Sequence, residues 1–236
     1  MAEAFIYDAI RTPRGKGKAG GSLYEVKPID MVLNLLEAMK ERNELDTSRV
    51  EDLILATGEP VKEQGQNIAK TAITYSSWDD VTVGAQLHRY CAGALDAVNT
   101  AAAKVAAGFE DLVAAGGVES MSRLGIGASG AAQGDAWVSM KSYGISQGLG
   151  ADMIATMDGF SREDVDRYAV MSQQRAAHAR DNGYFKNSIV PVKDMNGVTI
   201  LDHDEFIRPG TSMDALAKLK PSFKMFNDFG HGDIAR

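Results

Sequence analysis

Residues 81–116 read VTVGAQLHRYCAGALDAVNTAAAKVAAGFEDLVAAG, and their pattern decides the fold. Val81–Tyr90 shows the partial alternation of a strand. Ala92–Ala107 is dominated by small residues and stops at Gly108, which predicts a closely packed, buried helix. Asp111–Gly116 is a further short apolar run and reads as another strand. Cys91 falls at the junction of the first strand and the helix.

Working outward toward the N-terminus, the same alternation repeats. Residues 4–10 (AFIYDAI) read as a buried strand that leads into a basic, glycine-rich surface loop, Arg11–Gly21, expected to be mobile. That loop lacks the spacing of a phosphate-binding loop. Lys27-Pro28-Ile29-Asp30 opens a helix whose apolar stripe is Met31, Leu35, Leu36 and Met39. Val50–Ala56 reads as a strand and Gln66–Tyr75 as a helix. Strands alternating with helices in this way predict an α/β layered sheet.

The character changes after about residue 120. Arg123–Gly150 is rich in Gly, Ser, Ala and Met and has no clear period. Ser161-Arg-Glu-Asp164 has the spacing of a capping box, opening a helix that runs to about Asn182 before Gly183. A short strand at Ser188–Val192 and a helical turn at Leu216–Leu219 follow. The expected organisation is a domain over 1–120, a second over 121–223 and a divergent tail over 224–236.

Composition narrows the function. The chain has 44% hydrophobic and 24% charged residues, which excludes a disordered protein. Its net charge of −7 argues against a nucleic-acid partner, whose binders carry a basic face. No apolar run reaches the ~20 residues of a membrane span, and no signal peptide opens the chain, so a cytoplasmic location is expected. The single cysteine excludes an intramolecular disulfide and a multi-cysteine zinc site. His203, within Asp202-His203-Asp204-Glu205, reads as solvated charge, so no metal is expected.

The setting of Cys91 suits a nucleophile. A helix N-terminus favours negative charge, and a thiolate attacks thioesters well. Small neighbours Ala92, Gly93 and Ala94 leave backbone N–H groups approachable by a carbonyl oxygen. Position alone fits a buried small apolar residue equally well. His88 shares a side with Cys91 only if the chain bends sharply between them, and neither His178 nor His231 offers a clear base.

Several further segments occur in a telling order. Arg11-Thr12-Pro13 with Gly20-Gly21-Ser22-Leu23 resembles the opening of the thiolase family. Residues 86–108, QLHRYCAGALDAVNTAAAKVAAG, resemble that family's nucleophile signature, and Ala115–Ser122 (AGGVESMS) its next motif. Residues 150–155 and 161–179 resemble its loop-domain helices, and Asp204–Pro209 with Leu216–Phe223 its closing stretch.

The resemblance implies a layered α-β-α N-terminal domain with an inserted α+β loop domain, the C-terminal thiolase domain being absent. It implies acyl-CoA C-acyltransferase chemistry through an acyl-Cys91 intermediate, by Claisen condensation or by thiolysis of a 3-ketoacyl-CoA. Arg208 matches the arginine along the adenine end of CoA, and Leu149 a position against the pantetheine arm. For Arg208 an ion pair with Asp204 or Glu205 is the plain alternative, and for Leu149 simple packing. CoA and acyl-CoA are substrates, and no resident cofactor is implied.

The expected partner is a second copy in a homodimer or higher oligomer, or a complementary C-terminal thiolase chain. The chain departs from the family at Ala92, Asp152 and Ala215. The family's Asn-Glu-Ala-Phe and Gly-His-Pro motifs and its second cysteine do not occur in these 236 residues. The reading is therefore a truncated or split thiolase inactive alone, with a non-catalytic acyl-CoA-binding or partner subunit as the alternative.

Overall fold

The computed structural model describes residues 3–130, 132–142 and 145–224. The chain divides into two compact units. One takes in the described residues up to Ser129 together with Lys186–Phe206, and the other the remainder.

In the first unit, helix α1 (Pro28–Asn43) starts with proline at its first position, where the missing N–H costs nothing. Strand β1 (Asp52–Ala56), helix α2 (Ile68–Tyr75), strand β2 (Val83–Leu87), helix α3 (Gly93–Ala107) and strand β3 (Val113–Gly117) follow. The three strands form a parallel sheet in the order β2-β1-β3, with Asp52 opposite both Val83 and Val113. Parallel strands need long crossovers, and α2 lies in the one from β1 to β2 and α3 in the one from β2 to β3.

The period of two along β1 builds the layers. Leu53 and Leu55 face a core of Val32 and Leu36 from α1, Ala69, Ala72 and Ile73 from α2, and Trp78. Ile54 faces the other way, onto Ala97 and Ala101 of α3. Asp52 also meets α3, through an ion pair to Lys104, and so does Ala56, beneath Gly93. Each fully buried Leu or Ile contributes about 1.5–3 kcal/mol. Trp78 closes the first layer by donating Nε1–H to the Leu36 carbonyl at 3.0 Å.

Three expectations for this unit need correction. Residues 4–10 form no ladder among the described residues, and Phe5, Ile6 and Tyr7 are 68%, 78% and 85% exposed. An apolar run states a demand for partners, and none covers Phe5, Ile6 and Tyr7 among the described residues. Helix α3 is not buried all round: Gly93, Ala97 and Ala101 face the sheet, while Leu95, Ala102 and Ala106 are exposed. Small residues permit close packing, but a single sheet covers only one stripe of a helix.

The third correction concerns the loop after residue 11, which is tethered. Glu205 accepts from the Lys16 N–H and the Ser22 hydroxyl, and Arg11 pairs with both oxygens of Asp204.

The second unit carries helices α4 (Ala136–Ser142), α5 (Gln147–Met157) and α6 (Arg162–Asp181). The capping box of α6 is formed by Ser161 and Asp164, and Gly183 follows its end at φ 70. Back in the first unit, strands β4 (Val192–Lys193) and β5 (Thr199–Leu201) pair antiparallel, displaced toward the C-terminus from the strand expected at 188–192. Val192 and Leu201 bury against Leu23, Val26 and Met31. Helix α7 (Met213–Ala217), in the second unit, begins three residues earlier than the expected turn, because Ser212 caps it through the Ala215 N–H. No helix among the described residues is long and apolar enough to cross a membrane.

Candidate active site

In a parallel sheet, functional groups gather where the strands end at their carboxyl edge. Here that edge carries Gly58 and Glu59 after β1, His88 to Cys91 after β2, and Glu119 after β3. Cys91 is exposed at the N-terminus of α3, so it is not the buried small apolar residue its position also allowed.

The chain does bend sharply there. Tyr90 has φ 47, the left-handed region, which costs a non-glycine residue about 1–2 kcal/mol. The turn closes by hydrogen bonds from the Ala92 N–H to the Arg89 carbonyl and from the Gly93 N–H to the Tyr90 carbonyl, both 3.1 Å. Those two amides, expected to face a substrate carbonyl, are therefore consumed within the turn. Arg89 reaches over the turn to Asp96 in the first turn of α3 at 2.8 Å.

Two close approaches fix the height of α3 above the sheet. A Cβ on Gly93 would lie 2.6 Å from the Ala56 Cβ. A Cβ on Gly117 would lie 2.9 Å from the Ala56 carbonyl oxygen and 3.0 Å from the Ala94 Cβ. Only glycine lets the helix start this close to the strand ends.

Beneath the turn lies a polar network that the sequence reading did not assemble. His88 Nε2 is 3.0 Å from the Gly58 carbonyl oxygen, and its ring meets Tyr90 edge to face at 4.7 Å. Glu119 accepts from the Gly58 N–H and from Gln64 Nε2 at 2.6 Å. Gln64 is fully buried and also accepts from the Ser120 N–H at 2.7 Å. Gln86 donates to the Thr57 hydroxyl and the Gln64 carbonyl, tying β2 to β1. Glu59 is held below the usual carboxylate range chiefly by the Ser129 side chain, then by the amides of Ser129 and Gly127, with His88 a smaller influence. The legible signal was polar residues directly after three parallel strands, including the glutamate of AGGVESMS.

In the second unit, Leu149 is buried in the first turn of α5, where the Ser146 hydroxyl caps its N–H. Arg208 is exposed, and its backbone N–H donates to Gln173 Oε1 at 2.7 Å. His178 stacks edge-on with Tyr184, and His203 pairs with Asp202 at the surface. His231 lies outside the described residues. Among the described residues, no group of three or more His, Cys, Asp or Glu is placed to hold a metal.

Comparison with known proteins gives this geometry a context. The family described as "Thiolase, N-terminal domain" matches residues 4–228. The β-ketoadipyl-CoA thiolase of Pseudomonas knackmussii is 38% identical over 93% of this chain and 59% of its own length. The 3-ketoacyl-CoA thiolase of Acinetobacter baylyi is 34% identical over 94% of this chain and 57% of its own. The crystal structure of the Bacillus anthracis acetyl-CoA acetyltransferase superposes with a TM-score of 0.81 at 27% identity, covering 95% of this chain and 60% of that one. The chain thus spans about three-fifths of the length of these relatives, with the layered fold and the cysteine turn inside the shared part. On the extent of that match and the fold it shares, the chain belongs to the thiolase family.

Proposed function

We propose that this chain performs, or contributes the nucleophile to, acyl-CoA C-acyl transfer of the thiolase type. The observation that carries the reading is Cys91, exposed on a strained turn at the N-terminus of α3, in a chain of this family. The Cys91 thiolate attacks an acyl-CoA carbonyl and CoA thiolate leaves, giving an acyl-Cys91 thioester. The resemblance to the family assigns the Cys91 N–H to the developing oxyanion, and the next two amides are spent in the turn. The α-carbon of a second acyl-CoA, once deprotonated, then attacks the acyl-Cys91 carbonyl. A carbon–carbon bond forms and the thiolate is released. Thiolysis runs the same steps backward.

In this reading CoA enters as substrate, and the reaction needs no resident cofactor or metal. Arg208 takes the adenine end of CoA, where a planar guanidinium stacks well, and Leu149 lies against the pantetheine arm. A reducing cytoplasm keeps the lone thiol free. Base and second-step groups come from a complementary thiolase segment, within a homodimer or higher oligomer. The exposed Leu95, Ala102 and Ala106 face of α3 supports such a covering partner.

The test is thiolysis of acetoacetyl-CoA by this chain, alone and mixed with the C-terminal portion of a relative. Activity in either setting that Cys91→Ser abolishes supports the reading. No activity in both, with acyl-CoA still bound, favours a non-catalytic acyl-CoA-binding subunit.

A further inference from the structure

We propose that His88 is a positioning residue for the nucleophile turn, an inference that rests on the Cys91 reading above. A carbonyl oxygen only accepts, so Nε2, 3.0 Å from the Gly58 oxygen, carries the proton of that bond. Nε2 is protonated in both the neutral tautomer so fixed and the imidazolium, so the tether holds in either charge state. The ring also meets the Tyr90 ring, at 4.7 Å and 76°, and lies near enough to the Glu59 carboxylate to influence it. His88 therefore spans from the end of β1 to the one residue of the turn that sits in the left-handed region.

That residue needs bracing. An aromatic side chain at φ 47 is strained and persists only where its surroundings over-determine it. The far end of the brace is itself fixed. Gly58 donates its N–H to Glu119, and Glu119 is gripped by the buried Gln64. A chain of contacts thus runs from the end of β3, through the end of β1, to the residue before Cys91. Its effect is to hold the thiol at the mouth of α3 against the relaxation of Tyr90.

The experiment compares His88→Ala and His88→Gln with the unaltered chain, reading Cys91 alkylation by iodoacetamide at pH 7, the pH profile of its rate and thermal unfolding. Glutamine keeps a donor for the Gly58 carbonyl and removes the imidazole. The expected result is a loss of about tenfold in alkylation rate for His88→Ala, recovered only in part by His88→Gln, which restores the Gly58 end of the brace alone, with unfolding temperatures close to the parent and the pH profile of the rate unchanged. Slow alkylation in both variants with the pH profile of the rate displaced would assign the imidazole itself as a base and overturn the positioning role, whereas slow alkylation in both with an unchanged profile would support it, since glutamine also lacks the ring that meets Tyr90. Parent-like rates in both would overturn it as well. Acetylation by acetyl-CoA is measured alongside. If the parent chain takes no acetyl group, the acyl-transfer reading fails, while the alkylation comparison still decides the role of His88.

Discussion

Two apolar runs of this chain, residues 4–10 and 50–56, read alike as sequence and end in opposite places. Strand β1 is buried at all five positions, paired on both edges and covered on both faces. The 4–10 arm leaves Phe5, Ile6 and Tyr7 in solvent. Polar clamps hold it: Asp8 pairs with Arg42 at 3.0 Å, and Arg11, just beyond, pairs with Asp204 at 2.7 Å. Hydrophobicity sets how much a segment gains from cover, and topology decides whether cover arrives.

The largest expected contrast lies between the cores of these runs. Leu53→Ala and Ile54→Ala should each lower the free energy of unfolding by about 3 kcal/mol in urea titrations. Ile6→Ala should change it by less than about 0.5 kcal/mol. A large loss at Ile6 would break the comparison, by showing that the arm is covered in solution.

Next comes the α3 side of β1. Gly93→Ala forces a methyl against Ala56 and should cost about 1–3 kcal/mol, with slower alkylation of Cys91. Ala102→Lys, on the uncovered face, should stay within about 0.5 kcal/mol.

Smaller again is the ion pair at the start of β1. Lys104 bridges Asp52 at 2.6 Å and Glu110 at 2.8 Å, and Asp52 is buried. Lys104→Met should cost about 1–2 kcal/mol, below the 3–5 of a fully buried pair because the lysine is a third exposed. Asp52 first, then Glu110, raises the lysine above its ordinary value. Its contribution is therefore complete below the unfolded lysine pKa of about 10.4 and is lost as pH climbs through the higher folded value.

The arm's clamp should show the least effect and the opposite pH sense. Asp204 is held below the usual carboxylate range chiefly by Arg11. Its contribution is present above the unfolded value of about 3.9 and is lost as pH falls through the lower folded value. Asp204→Asn should cost about 1 kcal/mol at pH 7 and nothing at a pH below that folded value, in urea titrations at both conditions.

Much of this was legible in the sequence. The strand within 50–56, the Ser161 capping box and Gly183 are local signals, and each formed within the residues where it was read. What escaped depends on contacts distant along the chain. The exposure of α3 and of the arm hinges on whether another element covers them, which residue types do not state. The bend at Tyr90 was unreadable because an aromatic residue does not advertise a left-handed backbone. The grip of Glu119 on Gly58 joins residues 61 positions apart. Glu119 was visible only as part of a family motif, without its task.

The central claim is that Cys91 carries an acyl group. Its most direct test is the intact mass of the chain after incubation with acetyl-CoA, beside Cys91→Ser. The account predicts a gain of one acetyl group that the serine variant lacks. No gain in a folded chain, or an equal gain in both proteins, would contradict it.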